Sequence, residues 1–313
     1  MKPFALVAVV VLLLRGTCLA QTPQTATGLI EASVANADAN AKEALSYTFH
    51  EDDANFVADT TGEPPRPTLL ESQVAISPFM VNGEYRWSVQ YAVLFVEGIP
   101  YRRVVGINGQ RLSPEIAASE SQRYDRAVAT IHMLSPEQRQ ERLRAPEGMA
   151  SIMTDPKQLT SLYDCKITGH EKVEKRPATV VHCKPRHDLR QTETAASGPV
   201  TLWVDDQQPF FHRTRMVLDH KVGRYGAGTV VTFTWSLLDG VWHQTSTELA
   251  WVGAEKTMKN VNTPALAPGI QMDVERVNQG RAVNTFSNFK KFRIESRIVA
   301  PDSSSTVPLP PQP

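Results

Sequence analysis

The sequence predicts a mainly β protein with a few helices, an α+β chain built on a large, curved antiparallel sheet. Three observations carry this. The stretch "EYRWSVQYAVLF" puts Tyr85, Trp87, Val89, Tyr91, Val93 and Phe95 on odd positions, and Arg86, Ser88 and Gln90 on even ones. That period of two marks a strand with one apolar face. Hairpin-turn dipeptides recur at Asn82-Gly83, Asn108-Gly109 and Asp239-Gly240, residue types that accept the positive φ of tight two-residue turns. Strand-like runs lie on both sides of a helical insertion, Ser113 to Asp155, so successive strands join as hairpins in an antiparallel sheet.

The elements follow in order. Lys2, the unbroken apolar run Phe4 to Leu14, and Leu19-Ala20 before Gln21 have the three-part form of a secretory signal, cleaved after Ala20. The run falls short of the ~20 apolar residues that span a bilayer, and no second long run occurs. Cys18 follows Arg15-Gly16-Thr17, a poor setting for a lipid anchor. The mature chain is therefore expected in the periplasm or medium, soluble and not membrane-spanning.

Thr27 to Leu45 has helical spacing, with Ile30, Val34, Ala37, Ala41 and Leu45 on one face. Tyr47 to Glu51 reads as a short strand. Asp52 to Thr68 reads as a loop from its acids, glycine and prolines. Asp52, Asp53 and Asp59 raise the question of calcium, but their spacing is not that of a calcium loop, and a solvated loop is expected. Gln73 to Ile107 is a meander. Ser113-Pro114 starts the helical insertion, with serine as cap and proline in the first turn. Ser135 and Gln138 form a capping box for a second helix. Ile116, Tyr124, Val128 and Ile131 are its expected buried stripe, packed on the sheet as lid or flank.

Beyond the insertion, "VTLWVD" and "PFFHRTRMVLDH" pair through a turn at Asp206 to Pro209. "TVVTFTWSLL" puts Val231, Phe233, Trp235 and Leu237 on one face, and Asp239-Gly240 turns it into "VWHQTSTELAWV". Ala254 to Arg281 has no clear period. "TFSNFKKFRIESRIV" is a last strand, with Phe292, Ile294 and Ile298 of one parity. Residues 300–313 are rich in proline and serine and read as a disordered tail.

Removal of the signal leaves Cys165 and Cys183 in an oxidising compartment. Both lie in alternating flanks around a charged turn ending at Pro177. A hairpin centred near Glu174 sets them opposite each other, where facing positions are about 4.5–5.5 Å apart, within reach of a disulfide. Metal readings that add His170, His182 and His187 fit no zinc spacing, and a redox pair needs C-x-x-C. A disulfide is expected, worth about 3 kcal/mol on the chain-entropy model.

Lys plus Arg and Asp plus Glu each number 33, so there is no basic excess of the kind nucleic-acid binding requires. There is no G-x-S-x-G, H-E-x-x-H, P-loop or G-x-G-x-x-G. The eight histidines are scattered, and Asp205-Asp206 sits at a turn, where aspartate is favoured anyway. No catalytic constellation, cofactor site or metal site is expected. What remains is the apolar face carrying Trp87, Tyr91, Phe95, Phe233 and Trp235. These residues are either core beneath helices or the lining of an apolar ligand pocket.

The order of signal, helix, meander, helical insertion and further hairpins resembles the LolA-like superfamily of bacterial lipoprotein carriers. "YRRVVGINGQRLSPE" (Tyr101 to Glu115), "GHEKVEKRPATVVHCKP" (Gly169 to Pro185), "LWVDD" and "DGVW" are similar to segments of secreted bacterial proteins related to outer-membrane lipoprotein-sorting proteins. The resemblance spans Tyr47 to Val299 and its motifs mark turns and strands. It implies a half-barrel sheet whose concave face is capped by helices, a domain over 21–299 with the insertion at 113–155, and a non-catalytic protein binding a lipid or lipoprotein acyl chain. The alternatives are an envelope-stress or regulatory module that binds an envelope protein on the same scaffold and, with less support, a hydrolase. No binding residue carries over position by position.

Overall fold

The computed structural model describes residues 25–58, 65, 67–69, 74–144, 156–186, 198–222, 225–253 and 279–292. The expected leader and tail, the end of the insertion (145–155), His187, Ile294 and Ile298 lie outside them. The chain runs from helix α1 (Ala26–Ala44) into β1 (Tyr47–Ala58), the short β2 (Thr68–Leu69), β3 (Val74–Ala75) and β4 (Phe79–Val81), then β5 (Glu84–Val96), β6 (Ile99–Ile107) and β7 (Gln110–Arg111). Helices α2 (Pro114–His132) and α3 (Pro136–Arg144) follow, then a 3-10 turn (Pro156–Gln158) and α4 (Leu159–Leu162). The remaining strands are β8 (Tyr163–Val173), β9 (Arg176–Pro185), β10 (Val200–Asp205), β11 (Phe211–Val217), β12 (Val230–Leu238), β13 (Val241–Val252) and β14 (Gln279–Lys291).

The large sheet has the order β7-β6-β5-β1-β14-β13-β12-β11-β10-β9-β8, with β4 paired to β5; β2 and β3 form a separate pair. Its pairings are antiparallel and its two ends do not join, so it is an open half-barrel, as expected. The hairpin turns use the predicted dipeptides: Asn82, Gly83, Asn108, Gly109, Asp239 and Gly240 all have positive φ, the geometry that matches strand twist. Cys165 faces Cys183 in the β8–β9 register and the two are disulfide-bonded.

α1 packs on one face of the sheet, the inner face. Leu29 and Ile30 join Val181, Cys183, Val200, Leu202, Met216, Val231, Phe233 and Leu249 in the main core. The buried side of α1 is rotated from the apolar stripe read in the sequence, and Leu45 is exposed. The cause is polar. Asn36 donates to the Pro209 carbonyl (2.6 Å), and Asn40 both donates to the Trp242 carbonyl and accepts from its N–H (2.7 Å each). These bonds fix the helix by groups that an apolar period does not reveal.

β1 runs on through Asp52–Ala58, where the sequence suggests a loop. Its polar residues are held by strands on both sides, β5 and β14. Backbone pairing on two edges and side-chain partners for the acids compensate for the low strand preference of Asp and Asn.

α2 begins as expected, with Ser113 Oγ accepting from the Ile116 N–H. The capping box also forms: Gln138 Oε1 accepts from the Ser135 N–H and Ser135 Oγ from the Gln138 N–H. Ile131 is buried, with Tyr124, Ala127 and Val128 packed around it, against Val96, Ile99 and Tyr101. Tyr101 and Ile99 face Leu94 and Val96 in register, so α2 flanks the face opposite to that of Tyr91 and Phe95.

Candidate functional site

The inner face is defined by rows of facing residues that cross the sheet. One row reads Trp87, Asn55, Ala282, Leu249, Val231, Met216, Val200, Cys183, Cys165. The next reads Ile107, Val89, Asp53, Asn284, Thr247, Phe233, Thr214, Leu202, Val181, Ile167. All the strands from β5 to β8 thus present a single continuous surface. Period-two alternation in each strand creates it, because one side of a pleated strand faces one side of the sheet.

The aromatic residues singled out in the sequence all lie on this surface but form separate groups. Phe233 and Trp235 stack at 5.9 Å on the α1 side, Phe233 buried and Trp235 half-buried. Phe210 meets Trp235 edge-on at 6.4 Å. Trp87 is half-buried beside a second cluster made of Ile76, Val89, Tyr91 and Val104. Phe95 stacks on Phe292 at 6.4 Å. With β1, β14 and β13 between them, Trp87 and Phe233 are about 19 Å apart at ~4.8 Å per strand. The structure therefore brings Phe233 to Trp235 and Trp87 to Tyr91, and keeps the two pairs apart.

Between the two apolar clusters lies a polar saddle on β1 and β14 that sequence reasoning missed. Glu51 is buried and takes a bidentate ion pair from Arg102, Nε and NH2 each at 2.9 Å. Arg102 NH2 is also 3.8 Å from Asp53, and its guanidinium lies 4.0 Å from the Tyr91 ring centre. Asn284 donates to Glu51 at 2.9 Å, while its buried Oδ1 has no hydrogen-bond partner. Burial pushes the Asp53 carboxyl up to about 6; Arg102 opposes this and Glu51 adds to it. The one signal available in the sequence was alternation within β1: Phe49, Glu51, Asp53, Asn55 and Val57 share a parity. Read as solvated acids, they did not register as a strand face.

His182 and His212 lie on other strands, β9 and β11. His212 is fully buried, edge-on to Trp242 at 5.2 Å, and its Nε2 lies 3.7 Å from Glu174. Burial lowers its pKa. Ser236 donates to the same Glu174 at 2.5 Å. The Glu174 carboxylate, rather than the imidazole, therefore faces the Ser236 hydroxyl. His182 Nδ1 is 3.4 Å from Thr201, and Asp205 is engaged by Arg176 at 2.7 and 2.9 Å. Among the described residues no group of His, Cys, Asp or Glu converges as a metal site, and no helix is long and apolar enough to cross a membrane.

No protein-family model matches the chain, and no curated protein does. Solved structures that match it include a DUF1329 family protein from Desulfovibrio piger (12% identity, covering 86% of this chain and 94% of that one, TM-score 0.32). A putative outer membrane lipoprotein-sorting protein domain from Vibrio parahaemolyticus matches at 9% identity, 86% and 95% coverage and TM-score 0.29. A LolA superfamily protein from Nitrosomonas europaea matches at 12% identity, 86% and 94% coverage and TM-score 0.27. At such identities and TM-scores the likeness assigns no ligand and no residue.

Proposed function

We propose that this chain is a periplasmic, non-catalytic binding protein that holds a lipid or lipoprotein acyl chain on the inner face of its half-barrel. In this reading residues 1–20 are a removed leader, 21–299 are the binding domain and 300–313 are a tail. The observation that carries the proposal is the continuity of the inner face: aromatic groups on both sides of the saddle, Trp87 with Tyr91 and Phe233 with Trp235, belong to a single surface of an open sheet. Half-buried Trp87, Phe95 and Trp235 are the parts of that surface within reach of a ligand, while Tyr91 and Phe233 stand behind them as core. Each buried methylene would contribute about 0.8 kcal/mol before binding costs.

Organic extraction and native mass spectrometry of the purified protein, followed by titration with a fluorescent fatty acid, test this. Bound lipid and saturable uptake are expected, with Trp87→Ala weakening uptake more than it lowers the melting temperature. The reading fails if wild-type protein takes up no fatty acid and Trp87→Ala instead lowers stability by the roughly 3–5 kcal/mol of a pure core tryptophan. Lipid-free protein that co-purifies with an envelope protein would favour the regulatory-module alternative.

A further inference from the structure

The outer face of β8–β11 carries cations that no acid among the described residues pairs with. A row crosses it through Lys166, His182, Thr201 and Arg215. Lys184 faces Asp164 on one side of that row, and Trp203 faces Arg213 on the other. Lys166, Lys184 and Arg215 are exposed; Arg213, His182 and Trp203 are half-buried. Of the acids nearby, Asp164 pairs with Arg186 at 3.3 Å and Glu248 is 3.7 Å from Arg281, while Glu171 accepts from Trp203 Nε1 at 2.8 Å within the patch and keeps its negative charge. Among the described residues, none of Lys166, Lys184, Arg213 and Arg215 makes an ion pair. In a chain of zero formal net charge, this is a local excess of positive charge on one face.

From this we infer that the outer face of β8–β11 docks on an anionic phospholipid surface. The charges are spread over neighbouring strands about 4.8 Å apart, so the row from Lys166 to Arg215 is about 14 Å long and meets several anions at once. A membrane supplies such an array. Trp203 adds an amphipathic ring of the kind enriched at membrane interfaces, with Arg213 5.8 Å from its centre. Near an anionic surface each basic residue strengthens binding roughly five-fold at moderate salt. The patch faces away from the inner surface, so docking through it leaves that surface accessible. The inference does not depend on acyl binding.

Co-sedimentation with vesicles of phosphatidylcholine alone, and of phosphatidylcholine mixed with phosphatidylglycerol, tests it. Protein lacking residues 1–20 is expected to bind only the mixed vesicles, with affinity falling as salt rises. Lys166→Gln with Arg215→Gln should weaken binding about 25-fold, at two five-fold factors, while the melting curve stays unchanged. Lys42→Gln, an exposed charge on α1, should leave binding intact. Equal binding to both vesicle types, no binding to either, or an unaffected double variant overturns the inference. So does binding of a poly-glutamate peptide through the same residues without vesicle binding, which would assign the patch to an acidic protein.

Discussion

Asp53 is a carboxylate held where ionisation is unfavourable. Its folded pKa, about 6, lies above the ordinary 3.8. A group raised in this way contributes stability that is fully present below the unfolded value and lost as pH rises through the folded one. Each pKa unit corresponds to about 1.4 kcal/mol. Asp53→Asn should therefore raise the melting temperature at neutral pH and above. The gain should shrink to nothing as pH falls towards about 4, where wild-type Asp53 is itself neutral. Thermal melts of both proteins across that range check this, and a variant less stable at neutral pH would contradict it. His50, His212 and His243 act in the opposite sense. Burial lowers the pKa of each, so their contribution is present above the ordinary imidazole range and lost as pH falls through and below it. The saddle residue and these histidines thus pull the pH dependence in opposite directions.

At the scale of elements, the insertion does more than cover apolar surface. β6 pairs with β7 only at Gly106 and Ile107, which leaves the rest of that edge without a strand. α2 supplies the missing partner with side chains. Glu120, only 1% exposed, accepts from the Val104 N–H at 3.0 Å, and Arg123 donates to the Arg102 carbonyl at 2.6 Å. Glu120 and Arg123 are themselves joined at 2.6 and 2.7 Å. The pair stands in for the peptide group of a neighbouring strand, and so protects an edge that would otherwise invite association. Glu120→Ala should cost roughly 3–5 kcal/mol, because it leaves a buried donor and an unpaired guanidinium. It should also raise amide exchange at Val104. Glu120→Gln, which keeps an acceptor, should cost markedly less. Equal losses for the two would mean that the acceptor role is not what matters. A charged residue at the centre of a helix's buried face breaks the apolar period, and for that reason Tyr124, Val128 and Ile131 were legible in the sequence and Glu120 was not; Ile116, expected in the same stripe, is half-buried and lies outside their cluster.

Over the whole molecule, the architecture was readable where each strand repeats its own pattern. β5, β12 and the β8–β9 hairpin declare themselves through period two and turn dipeptides, and the Cys165–Cys183 bridge follows from matched parity. It spans 18 residues, and replacing both cysteines with serine should lower stability by about 3 kcal/mol on the chain-entropy model. Denatured, unreduced protein should show no free thiol at these two positions; two titratable thiols there would refute the pairing. The pairing of β1 with β14 was not legible, since partners 242 residues apart leave no local signature. The split of the aromatic residues into two groups was hidden for the same reason. Parity places Trp87 and Phe233 on apolar faces, but only strand order tells how far apart those faces stand and that Glu51, Asp53 and Asn284 lie between them.

That strand order also fixes when the protein can finish folding. β1 is among the first segments to leave the ribosome, yet its neighbour on one side is β14, the last of the described strands. Until β14 arrives, the strands β4 to β7 with β1, and the meander from β8 to β13, have no hydrogen-bonded connection across the middle of the sheet. Closing so long a loop is slow, and contacts of this range delay folding. The two halves can form early and independently, while the central seam is the last event. Pulse-labelled amide exchange during refolding should find β9–β12 protected before Glu51–Val57 and Ala282–Asn284. In the proposed periplasmic reading, the sheet is complete only after β14 has followed the earlier strands across the membrane.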